Sequence, residues 1–121
     1  MGVKAALVLM TVASWIHVDG GAWNAASIFP DIEAQLQPFV THAAAEQHKK
    51  LPPWSSYKFQ YQGQVEKNRR FVFINAFCST PAEDVKTRFM LGFDDGGTCY
   101  FRVKYDPEQK HFFDLEFNSE G

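Results

Sequence analysis

The spacing of apolar residues changes once along this chain, from a period near 3.6 to a period of two, and no other feature limits the fold as much. Across residues 29–50, Ile32, Leu36, Phe39 or Val40, Ala43 and Ala44 fall on one stripe, while Asp31, Glu33, Gln35, Gln37 and Glu46 lie elsewhere. That is one amphipathic helix whose apolar face needs a partner. Pro30 near the first position, with acids in the first turn, marks the start; Lys49-Lys50 followed by Pro52-Pro53 marks the stop. Pro38 lies inside the pattern. Lacking an N–H and clashing with the preceding turn, it predicts a kink or a restart near Gln37.

From Tyr57 onward, Tyr57, Phe59, Tyr61 and Val65 alternate with Lys58, Gln60, Gln62 and Gln64, the mark of a strand with one wet face. Arg102 and Lys104 extend that face. A turn at Glu66, Lys67, Asn68 and Arg69 leads into a second strand over 71–78, apolar on both faces apart from Asn75 and therefore expected to be covered on both. After a loop over 79–87, a third strand is predicted over 88–93. Asp94, Asp95, Gly96 and Gly97 then form a tight hairpin turn into a fourth strand over 98–105. Asp106-Pro107-Glu108-Gln109 turns into a fifth, over 111–117. Pairing Tyr105 with His111 in this last hairpin sets Val103 opposite Phe113, Phe101 opposite Leu115 and Arg102 opposite Asp114, so apolar partners share one face and opposite charges the other. The fold class that buries both apolar surfaces is α+β, with one N-terminal amphipathic helix packed on a four- to five-stranded antiparallel meander.

The chain has 121 residues, 45% hydrophobic and with 12 phenylalanines, enough apolar surface for one core and too much for a disordered segment. Lys and Arg number 12 against 14 Asp and Glu, so there is no basic excess to hold phosphates, and nucleic acid is not an expected partner. Residues 1–22 read as a secretory signal peptide: Lys4, an uncharged run over 5–16, then Asp19-Gly20-Gly21-Ala22. A membrane span needs about 20 apolar residues, and this run falls short of that. Gly20 and Ala22 favour cleavage after Ala22, with Ala13, Ala25 and Ala26 as alternatives. Residues 23–121 would then be the single α+β domain, exported to the periplasm or secreted.

Cys78 and Cys99 are the two cysteines, and in an exported protein they form a candidate disulfide. It would close a loop of about 20 residues, worth about 3 kcal/mol in the chain-entropy model. A simple meander opposes the bond, because its second and fourth strands run the same way and would hold the two residues a strand length apart. Either the segment after Cys78 changes the strand order, or the residues remain thiols.

No nucleophile elbow, zinc-protease helix, Cys-x-x-Cys, phosphate loop or dinucleotide glycine pattern occurs, so the expectation is a protein that is not an enzyme and carries no cofactor. His42 and His48 are six residues apart and fall on different faces of a helix, which rules out an i, i+4 zinc pair; no metal is expected. Asn75 is the polar exception within an apolar strand and could hydrogen-bond either a ligand or the backbone. With Tyr57 and Tyr61, and with Tyr100 and Tyr105 nearby in pattern, it defines a candidate cup for a small molecule.

Tyr61-Gln-Gly-Gln64, the run from Phe71 to Cys78 and Asp95-Gly-Gly-Thr-Cys-Tyr-Phe-Arg-Val-Lys-Tyr-Asp-Pro107 resemble small exported bacterial proteins of unknown function. That resemblance implies a shared structural role for the cysteines and no activity. More distantly, Gly20-Gly21 ahead of a helix that packs on a meander resembles the cystatin fold. Gln64-Val65-Glu66-Lys67-Asn68 stands where cystatins carry Gln-x-Val-x-Gly, although Glu66 and Asn68 depart from that motif and Asp95-Gly96-Gly97 lacks the Pro-Trp of the second cystatin turn. The leading expectation is an exported, non-catalytic interaction module with a protein partner. The alternatives are a cystatin-like inhibitor of a hydrolase, acting through the turns at 66–69 and 94–97 held side by side, and a small-ligand cup.

Overall fold

Helix α1 (Phe29–Glu46) lies against one face of a single five-stranded sheet, in a computed structural model that describes residues 14–78, 85–90 and 96–119. The strands are β1 (Ser14–His17), β2 (Lys58–Glu66), β3 (Arg69–Phe77), β4 (Tyr100–Asp106) and β5 (His111–Phe117), side by side in chain order. Ile32, Leu36, Val40 and Ala44 recur every fourth residue and are the buried stripe of α1. They meet Phe59, Val72, Ile74, Phe101, Val103 and Tyr105 from the inner face of the sheet. The architecture is thus α+β, as the change of period requires.

The helix ends at Glu46, four residues short of the predicted stop, in a tight C-terminal wrap. His48 N–H donates to Ala45 O at 3.1 Å and Lys49 N–H to Ala44 O at 2.8 Å, with His48 at φ 56° in the position glycine usually takes. Pro38 neither restarts nor ends the helix, which is continuous from Phe29 to Glu46. Pro38 and Ala34 are both exposed, so the carbonyl that loses its helical partner to Pro38 is beside water.

Three predicted features of the sheet are corrected. The meander is not wholly antiparallel: β1 pairs in parallel with β2, Trp15 beside Phe59 and His17 beside Tyr61. Such a pairing is open to a strand separated from its neighbour by a long helical crossover. The predicted third strand over 88–93 does not lie between β3 and β4. Residues 88–90 have no strand structure, residues 91–93 lie outside the described residues, and β3 pairs directly with β4. Finally, the last hairpin has a different register, with Asp106 opposite His111, Tyr105 opposite Phe112 and Arg102 opposite Glu116. Asp106 causes the first part of this shift. Its Oδ1 accepts from the backbone N–H groups of Glu108 and Gln109, so the turn begins after Asp106 and Lys110 closes it at φ 56°. A bulge, with Asp114 at φ 54°, shifts the register by one more residue, so that Phe117 lies opposite Phe101. The charge pairs become Arg102 with Glu116 at 3.0 Å and Lys104 with Asp114 at 3.4 Å.

Direct pairing of β3 with β4 also resolves the cysteines. Phe77 lies opposite Tyr100, so Cys78 and Cys99 are neighbours just beyond it, with Cα atoms 5.0 Å apart, and they form a disulfide. Cys78 N–H donates to Cys99 O at 3.0 Å across the same gap. Of the chain between them, residues 85–90 lie over the outer face, where Phe89 meets Phe73 edge to face at 4.9 Å.

Candidate functional site

Antiparallel pairing of β2 with β3 and of β4 with β5 brings two turns to the same end of the sheet. Lys67 and Asn68, at φ 52° and 64°, form the two-residue connection between β2 and β3, the left-handed geometry that matches strand twist. Residues 107–110 connect β4 and β5. The junction is held by Arg69, whose Nη2 donates to Asp106 Oδ2 at 2.7 Å. The backbone N–H of Gln109 holds the Asp106 carboxyl below the usual carboxylate range; the Glu108 N–H and the Arg69 and His111 side chains add to this, against the opposing effect of burial.

Between the turns is an open groove of about 450 Å³ lined by Glu66, Lys67, Arg69, Arg70, Phe71, Gln109, His111 and Phe113 among others. Arg70 lies over the Trp23 ring at 4.6 Å, and its Nε approaches Glu108 at 4.0 Å. Lys104 lies over the rings of Phe71 and Phe113 at 5.2 and 5.9 Å. Chemically the groove offers guanidinium and ammonium donors beside aromatic faces, a surface for a segment that carries carboxylates next to an apolar side chain.

Of the predicted turn residues, Glu66, Lys67, Asn68 and Arg69 are at this end. Gly96 and Gly97 are at the other: Gly97 N–H donates to Ser119 O at 2.9 Å and opens the short helical turn that ends at Cys99. The seven residues of β4 separate the two sites, a length of about 20 Å. Asp94 and Asp95 lie outside the described residues. The two predicted turns are therefore not side by side, and the neighbour of the 67–68 turn is the one that follows Asp106. Asp106 ahead of Pro107 is the sequence signal for that turn, since a carboxylate two residues before exposed N–H groups caps them.

The candidate cup is not assembled either. Alternation sends Asn75 and its partner Gln60 to the outer face, whereas Tyr57 and Tyr61 belong to the helix-facing core. Asn75 Nδ2 donates to Gln60 Oε1 at 3.0 Å and to Met90 O at 3.1 Å. Tyr57 donates its hydroxyl to Thr98 O, and Tyr61 packs among Trp15, His17 and Phe29. Burial pushes the hydroxyls of Tyr57 and Tyr61 above their ordinary pKa. Tyr105 is raised by burial, then by the Asp31 and Asp106 carboxylates, and its buried hydroxyl has no hydrogen-bond partner among the described residues.

Gln60, expected on a wet face, is fully buried and is the polar residue that the periodicity misplaced. Its Nε2 donates to Val85 O at 2.9 Å and Arg88 O at 2.8 Å, while its Oε1 accepts from Asn75 and from Met90 N–H at 2.8 Å. Three of these four hydrogen bonds hold residues 85–90 against the sheet, and the fourth joins Gln60 to Asn75 on the neighbouring strand. Among the described residues no cluster of His, Cys, Asp or Glu could hold a metal ion, and no helix is long and apolar enough to cross a membrane. Comparison of the chain with protein-family models, curated proteins and solved structures finds no match.

Proposed function

We propose that this chain is an exported binding module without chemistry of its own, which engages a protein partner at the sheet end where the β2–β3 and β4–β5 turns meet. The observation that carries this reading is the groove between those turns, with Arg70, Lys67 and His111 exposed around the buried ring of Phe71. Rigid strands carrying exposed charged and aromatic side chains on short turns are a common basis for recognition. Export is supported by the Cys78–Cys99 bond, because such bonds persist in oxidising compartments.

The test is a photo-crosslinking amino acid placed at Gln109, beside the groove, or at Gln35, on the exposed face of α1, in cells that natively make the chain. A discrete adduct from position 109, lost on Arg70→Glu and absent from position 35, is the expected result. Equal labelling from both positions, or none from 109, would remove the reading.

A second reading, inhibition of a hydrolase, draws on one observation: two turns side by side at a sheet end form a wedge that can enter a cleft. Its version built on the turn at 94–97 loses support, since Gly96 and Gly97 are at the opposite end. Titration against papain-like proteases tests it, and no inhibition at micromolar concentration would dismiss it. The small-ligand cup has the least support, because its tyrosines are packed in the core and Asn75 is on the other face.

A further inference from the structure

We infer that export processing cuts after Ala13 rather than after Ala22, so that the mature chain begins at Ser14 and retains β1. This rests on the proposed export. Residues 14–22 are interlocked with the domain in a way that a discarded leader has no use for. The Trp15 ring stacks on Phe59 at 4.4 Å and meets Phe29 edge to face at 5.1 Å, and His17 stacks on Tyr61 at 4.8 Å. Val18 is 2% exposed.

The backbone is as closely engaged as the side chains. Beyond the β1–β2 pairing, Val18 N–H donates to Tyr61 O at 2.9 Å, Asp19 N–H to Lys86 O at 2.8 Å and Ala22 N–H to Gly63 O at 2.8 Å. Gln62 Nε2 donates to Asp19 O at 2.7 Å. Gly21 is seated so close to this edge that a Cβ there would be 2.9 Å from Gly63 O. A cut after Ala22 would strip β2 of its neighbour, leaving its carbonyls and N–H groups as an open edge and uncovering the rings of Phe59 and Tyr61.

A cut after Ala13 removes none of these contacts and leaves a leader of 13 residues, just under the roughly 15–30 of an ordinary secretory signal but with its regions in the right order. Lys4 supplies the basic region and residues 5–12 form an uncharged run of adequate length for an apolar region. Thr11 and Ala13 then occupy the two positions before the cut where compact residues are needed. Retaining residues 14–22 also places Asp19 in the mature protein.

The experiment is amino-terminal sequencing of the protein recovered from the periplasm or medium of an expressing bacterium, for the native chain and for Ala13→Gln and Ala22→Gln. The expected start is Ser-Trp-Ile-His, with processing blocked by Ala13→Gln and unaffected by Ala22→Gln. A start at Trp-Asn-Ala-Ala, or an exported chain with its amino terminus intact, would overturn the inference and leave export standing. A full-length chain confined to the cytoplasm would overturn both.

Discussion

The two ends of the sheet are closed by different means. Where β3 leaves and β4 enters, the connection is long and is tied down repeatedly: by the Cys78–Cys99 bond, by Cys78 N–H on Cys99 O, by the Tyr57 hydroxyl on Thr98 O and by Thr98 Oγ1 on Lys50 O. At the opposite end the connections are short, and their closure is local, through left-handed residues at Lys67, Asn68 and Lys110 and the carboxylate of Asp106. A long connection needs cross-links because its closure entropy is large, whereas a two-residue turn fixes itself. The tied end uses its polar groups on itself. The other end keeps a rigid backbone while presenting charged side chains to solvent, which is why the binding proposal is placed there.

The largest expected effect tests the tied end. Gln60→Leu should lower stability by roughly 3–5 kcal/mol in chemical denaturation, because the carbonyls of Val85 and Arg88, the N–H of Met90 and one donor of Asn75 lose their partner in a buried setting. A loss below about 1 kcal/mol would mean that Gln60 does not anchor residues 85–90. Next comes the disulfide. Cys78→Ser with Cys99→Ser should cost about 3 kcal/mol through the closed loop alone. A comparable loss from Arg70→Glu at the exposed end would break the contrast, since a half-exposed pair there should matter by under about 1 kcal/mol.

How much of this was legible in the sequence follows the same division. The α1 stripe, the strands β2 to β5 and the Lys67-Asn68 turn are local patterns, and side-chain period with turn chemistry reports them directly. The disulfide was left between two outcomes because it depended on whether residues 88–93 entered the sheet, a question of long-range pairing that periodicity does not address. Gln60 was placed on a wet face for a related reason. Alternation tells which face a side chain takes, not what later covers that face, and the cover comes from a segment more than 20 residues away. The last hairpin failed by register alone: Asp106 caps its own turn, and the bulge at Asp114 shifts the pairing once more, so that Phe101 faces Phe117 where the simpler register had Leu115. β1 was hidden because an apolar run with small residues near its end satisfies both a leader and a strand.

At the exposed end, Asp106 should make the turn pH-sensitive. Its folded-state pKa is lowered, chiefly by the Gln109 N–H, so ionised Asp106 contributes stability that is fully present above its unfolded value of about 3.9 and is lost as pH falls through the lower folded value. Asp106→Asn keeps an oxygen for the two backbone N–H groups and loses the charge facing Arg69. Stability measured from pH 7 down to pH 2 should therefore fall less steeply for the variant than for the native chain. Parallel curves would mean that the charge of Asp106 has no part in closing this end.

The smallest effect is a gain. Both residues of the β2–β3 turn have positive φ, and the second position of such a turn is where glycine avoids the cost that a Cβ imposes. Asn68→Gly should stabilise the chain by about 0.5–1 kcal/mol, less than the full left-handed penalty, because asparagine tolerates that region and glycine adds entropy to the unfolded chain. The substitution leaves every named groove side chain in place, so it separates turn strain from recognition. A more stable variant that still crosslinks from position 109 would make the turn purely a support for the groove. If adduct formation fell while stability rose, the left-handed asparagine would itself belong to the binding surface, and the contrast between the two ends would extend to backbone strain held for function.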